Sequence, residues 1–152
     1  EARVGVGVAF NCHLAAEAEV QERLRLRAKL ETGVVSSVWL QFGSDVERLE
    51  AGLDYIQSLG DLRPERIVGS LFLPTPQLLA QQRFRPWSGV LLSQEYLSGV
   101  GAATAITRRI LRVYQRFGVE VLVEAPGVRS EKDLRLVEDL VRGAGLPCDL
   151  RL

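Results

Sequence analysis

Gln41 closes an apolar strand within the run Val34 to Asp45, VVSSVWLQFGSD, just ahead of a helix start. In parallel α/β folds ligands gather at the carboxyl ends of the strands. A neutral amide there can donate and accept hydrogen bonds at once, which makes it the best candidate polar contact for a ligand. The alternative is an amide that satisfies loop backbone alone. Glu124 stands in the same relation to another strand, in VLVEAPGV, where a carboxyl group could serve as an acid. Nothing in the sequence pairs with it. His13, the sole histidine, follows a strand in a short polar turn, where it either borders a ligand or makes one backbone hydrogen bond. The two cysteines, Cys12 and Cys148, lie at opposite ends of the chain with no C-x-x-C pattern. Reduced thiols in a cytoplasmic protein are expected from them, with no metal centre.

The elements that must position these groups are legible in the hydrophobic pattern. Arg3 to Phe10, RVGVGVAF, reads as a buried strand whose glycines leave room for a neighbouring element or a ligand. Glu17 to Thr32 is helical, with Val20, Leu24 and Ala28 on one face, Leu26 and Leu30 beside it, and Gly33 as the stop. Val34 to Leu40 has the composition of a strand buried on both faces. Ser44 with Glu47 forms a capping-box pattern opening a helix whose stripe is Val46, Leu49, Leu53 and Ile56. Arg66 to Leu73 is a third strand, ended by Pro74 and Pro76. A short helix over 77–84 and an irregular stretch over 86–96 follow, with Val90, Leu91 and Leu92 packing inward. A long helix over 102–117 carries Ile106, Ile110, Val113, Tyr114 and Phe117 on one side and stops at Gly118. Val119 to Ala125 is a fourth strand, and Ser130 with Asp133 caps a last helix with Leu134, Val137 and Val141 inward.

Four strand-helix units in succession predict a parallel α/β fold. The expected architecture is half of a (β/α)8 TIM-type barrel; the alternative is a small doubly wound parallel sheet. Against the alternative, no strand runs into a G-x-G-x-x-G turn. At 152 residues the chain fits one domain, and its 19 basic and 19 acidic residues cancel. That balance gives no reason to expect nucleic acid or an anionic membrane as partner. No apolar run reaches membrane-spanning length, and no signal peptide precedes the first strand. The chain starts at Glu1, lacks methionine and enters a strand at once, which suits a segment of something longer.

Taken in order, these segments resemble the second half of the methylenetetrahydrofolate reductase barrel. GVGVAFNCH is similar to the family's strand that ends Gly-Val-Ala-Tyr and leads to a His. ERLRLRAKLETG is similar to its helix ending Leu-Lys-x-Lys-x-x-x-Gly, and LQFGSDVERL to its Thr-Gln-x-x-Phe-Asp before a helix. RIVGSLFLP matches Ile-x-Pro-Gly-Ile-x-Pro more loosely. The likeness covers residues 3–84.

The resemblance implies an oxidoreductase of one-carbon metabolism, taking hydride from NAD(P)H, through FAD, to the methylene carbon of methylenetetrahydrofolate. By the same resemblance Gln41 and Phe84 contact the folate, while Phe10, His13, Glu22 and Lys29 border the flavin. The sequence also departs from the family. Phe10 lacks the Tyr hydroxyl, and the loop to His13 is one residue shorter. The family's catalytic carboxylates lie in the four units that this chain does not contain. VLVEAPGV replaces a His-Phe-Tyr-Thr-Leu-Asn-Arg run, leaving Arg129 as the nearest cation. Some relatives are thought to work without bound flavin. Three readings stay open: a folate-reducing half completed by a first half-barrel, a related barrel with other small-molecule chemistry using Glu124, and a non-catalytic half-barrel. In the last, a homo-oligomer covers the exposed strand edges.

Overall fold

A computed structural model of the protein describes residues 4–124 and 128–148. The strands are β1 (Val6–Phe10), β2 (Val35–Leu40), β3 (Arg66–Phe72) and β4 (Glu120–Glu124). The helices are α1 (Ala16–Glu31), α2 (Val46–Ser58), α3 (Pro76–Phe84), α4 (Gln94–Ser98), α5 (Val100–Phe117) and α6 (Glu131–Gly143). The expected strand start at Arg3 and strand end at Ala125 lie outside the described residues.

The strands form one sheet in the order β1-β2-β3-β4, and every adjacent pair is parallel. A doubly wound sheet reverses its order at a switch point. This one never reverses, so successive right-handed crossovers place the helices on a single face, as in half of a (β/α)8 barrel.

Register sorts the strand residues between the two faces. Phe10 pairs with Leu40, Val8 with Val38, and Leu40 with Gly69. These residues and Leu71 point toward the helices, where Val38, Leu40, Leu49, Leu53, Ile56, Leu71 and Ile110 form a closed core. The alternate positions, among them Gly7, Ser37, Trp39, Arg66, Ser70, Glu120, Leu122 and Glu124, share the face without helices.

Five expectations need correction. Strand β1 is buried only at Phe10, with Val6 40% exposed, and Leu91, expected to pack inward, is 43% exposed. Trp39 is 41% exposed, so β2 is closed on one face only; its indole lies across β1, where a Cβ on Gly7 would stand 2.6 Å from Nε1. In α1 the buried residues are Leu26 and Leu30, while Val20, Leu24 and Ala28 face solvent. The sheet selected the narrower of two apolar stripes, which sequence periodicity does not rank. Helix α2 is capped one residue later than predicted. Asp45 Oδ1 accepts from Arg48 N at 3.0 Å, and the Ser44 hydroxyl instead accepts from Ser93 N at 2.6 Å. The Ser130 and Asp133 capping box is formed as read.

Candidate functional site

The carboxyl ends of the strands make one rim, and the first two strands deliver matched side chains to it. Phe10 and Leu40 are register partners, so Asn11 and Gln41 follow them at equivalent positions. Gln41 N donates to Phe10 O at 2.9 Å, carrying the ladder one bond past the strand. Strand alternation continues Ser37 and Trp39 into Gln41, which brings it to the open face. Its half-buried side-chain amide makes no hydrogen bond among the described residues. The reading in which this amide only satisfies loop backbone therefore fails.

Asn11 is fully engaged by comparison. Its Nδ2 donates to Gly89 O at 3.0 Å, its Oδ1 accepts from His13 N at 3.1 Å, and its own N–H donates to Glu22 Oε1 at 3.1 Å. Asn11 Nδ2 and Gln41 Nε2 each lie 3.9 Å from where a Cβ on Gly89 would stand. Gly89 belongs to the connection between α3 and α4, which folds over the rim. Several bonds strap it down: Ser44 N donates to Leu91 O at 3.0 Å, Gly43 bridges Leu91, and Trp87 N donates to Gln82 Oε1 at 3.3 Å. Aromatic contacts pin it further. Trp87 meets Phe72 edge-on at 5.6 Å, and Phe42 packs on Phe72 at 4.5 Å and on Tyr96 at 6.0 Å.

His13 lies behind this strap rather than in solvent. A Cβ on Gly43 would stand 2.3 Å from His13 Cγ, so only glycine lets the imidazole lie there. Burial pulls the His13 pKa down to about 4, against the attraction of Asp45, and keeps the ring neutral at physiological pH. The adjacent Cys12 thiol is pushed up to about 12, chiefly by burial, which leaves it unreactive. A cleft of about 650 Å³ opens beside His13, bounded by Asp45, Gln82, Arg83, Val90 and Leu97. Gln41, Phe84 and Glu124 do not line it.

The other residues singled out in the sequence do not gather at one place. Phe10 is sealed in the core on the helix side, 6.4 Å from the Tyr55 ring, so it offers no surface to a flavin. The Glu22 carboxylate is committed to Asn11 N and lies 3.7 Å from Arg25 Nε. Lys29 sits in the last turn of α1, which runs about 24 Å back from the rim at 1.5 Å per residue over its 16 residues. Only His13 and Glu22 stand near the rim, so the residues assigned to FAD form no common surface. No chemical step is derived through a flavin. Phe84 is 94% exposed at the end of α3 and covers nothing among the described residues. Glu124 accepts from Ser70 Oγ at 2.5 Å on the open face, and Ser70 O accepts from Tyr114 Oη at 3.0 Å. Arg129 is exposed, its backbone N–H donating to Asp133 at 2.9 Å in the α6 cap.

Sequence reading missed Asn11, Ser70 and Gln82. Asn11 had a signal: it follows β1 as Gln41 follows β2. Ser70 and Gln82 had none, because their partners are distant in the chain. Among the described residues no cluster of His, Cys, Asp or Glu is placed to hold a metal ion, and no helix is long and apolar enough to cross a membrane. No protein-family model matches the chain, and no curated protein matches it.

Proposed function

We propose that the chain is the folate-holding half of a methylenetetrahydrofolate reductase-like oxidoreductase, completed by a further four strand-helix units that close the barrel over the open face. The observation that carries this reading is the uncommitted amide of Gln41 at the carboxyl rim. A side-chain amide with both its donor and its acceptor free, on a residue whose main-chain N–H is anchored to Phe10 O, can pair with the donor-acceptor edge of a pterin. The rim and its strap supply orientation and exclude water, which is most of what a hydride transfer asks of a protein.

In the reaction, NAD(P)H gives a hydride to the methylene carbon of methylenetetrahydrofolate. One carbon–nitrogen bond to that carbon breaks, the released nitrogen takes a proton, and the products are oxidised nicotinamide and methyltetrahydrofolate. The acid belongs to the completing half, since Glu124 is held by Ser70 and no second carboxylate joins it among the described residues. Such a reaction draws on the cytoplasmic pool of NAD(P)H, where we place the protein.

Titration with methyltetrahydrofolate tests the reading. The wild-type chain is expected to gain thermal stability on binding, and Gln41→Ala to bind about tenfold more weakly with an unchanged circular dichroism spectrum. Equal affinity in the variant would remove Gln41 from the site. No binding by the wild type would end the proposal. Flavin absorbance in the purified protein would restore FAD to the reaction.

A further inference from the structure

Arg83 borders the cleft of about 650 Å³ beside His13, and only one edge of its guanidinium is engaged. Nε donates to Leu97 O at 2.7 Å, and Nη2 donates to the same oxygen. Leu97 lies near the end of α4, so the contact sets a cation beside a helix C-terminus, where positive charge is favoured. That role accounts for the side edge of the fork and for nothing more. The end edge, formed by Nη1 and the second N–H of Nη2, has no partner among the described residues, and no carboxylate there pairs with Arg83.

An end edge of this kind matches a carboxylate. Its parallel N–H groups can donate to both oxygens at once, the geometry in which a guanidinium binds an anion most strongly. The Leu97 bonds already hold the planar group between α3 and α4, so little side-chain freedom is left to lose on binding. The other charge on the cleft does not cancel Arg83, because the Asp45 carboxylate caps α2 and pairs with Arg48 Nε at 3.2 Å. The remaining lining is largely apolar, from Pro86, Val90, Leu92 and Leu97, and favours an organic anion over a fully hydrated one. The volume falls within the range of small-molecule sites.

We propose that this cleft binds a small carboxylic acid in its ionised form, with the carboxylate held end-on by Arg83 and an apolar body of aromatic size resting against Val90, Leu92 and Leu97. Gln41 does not border the cleft, so the site is separate from the one proposed for folate. Either proposal survives the failure of the other.

Benzoate, its neutral counterpart benzamide, and inorganic phosphate, each titrated into the full chain and followed by ¹H–¹⁵N NMR, test the assignment. Benzoate is expected to give saturable shifts around Arg83 and Leu92. Benzamide, which lacks the charge, and phosphate, which lacks the apolar body, are each expected to bind at least about tenfold more weakly. Arg83→Gln keeps a donor for Leu97 O but removes the charge and the end edge, and is expected to weaken benzoate about tenfold. Leu91→Trp leaves Arg83 in place and guards against loosening of the α3–α4 contact in that variant. Leu91 lines the cleft and is 43% exposed, so a larger ring there obstructs entry without entering the core and should also weaken benzoate. No saturable shift with benzoate, equal affinity for benzamide or phosphate, or unchanged binding in either variant would overturn the assignment.

Discussion

The two faces of the sheet are built from the same four strands and differ in almost everything else. On the helix side, Val38, Leu40 and Leu71 are buried in one core with α2 and α5, and no charged residue intrudes among the described residues. On the other side, Trp39 and Leu122 are 41% and 39% exposed. They share that face with the Arg66–Glu120 pair, closed by two bonds of 2.9 and 2.7 Å, and with Glu124 on Ser70. The first face is a finished core. The second carries a mixture of apolar, ionic and hydroxyl groups that suits the interior of a closed barrel, where such side chains fill layers. Closed apolar packing therefore resides on one face, and paired polar groups beside part-exposed apolar ones on the other.

The sharpest test of that contrast is to empty the helix side. Leu53 is fully buried, so Leu53→Ala is expected to lower unfolding free energy by about 2–5 kcal/mol in urea titrations. A smaller loss would mean that the core is looser than its burial implies.

Acid is expected to act next, through His13. Its pKa is about 4 in the fold against 6.5 for the ordinary imidazole, so the unfolded chain binds the extra proton first. The contribution of neutral His13 is complete above pH 6.5 and is lost as pH falls toward 4, on the order of 3 kcal/mol. His13→Gln should flatten the stability profile in that window, and a persistent slope would assign it to other groups.

Gly43→Ala tests the seat of the same ring. A Cβ 2.3 Å from His13 Cγ must displace it, for a loss of about 1–3 kcal/mol seen as a lowered Tm. On the open face the effect should be smallest. Leu122→Ala is expected to cost less than about 1 kcal/mol in the isolated chain. A larger loss, dependent on protein concentration, would show that a second copy already covers this face.

How far these features could be read in advance varies with the range of the interaction that fixes them. The α2 stripe of Val46, Leu49, Leu53 and Ile56 was legible because one helix face and one sheet face meet with no competitor. The α1 stripe was not, since two apolar faces were present and packing chose Leu26 and Leu30. Among the candidate residues, the place of Gln41 on the rim was legible from its position at a strand end. Phe10, one residue short of the corresponding place in β1, turned inward because side chains alternate along a strand. The family likeness could not register that inversion, nor that Lys29 lies at the far end of α1.

What the sequence determined by itself was local: the elements, their order, the Ser130 cap and the polar residues at the strand ends. Periodicity and turn chemistry act within a few residues, so they are written in the chain directly. The tertiary structure decided which face of each strand is closed, that the α3–α4 connection straps the rim, and that Gln41 remains uncommitted while Asn11 is spent. It also decided that His13 and Gln82 end beside one cleft, 69 residues apart in sequence. Those outcomes depend on contacts between distant segments, and only the assembled packing brings them together.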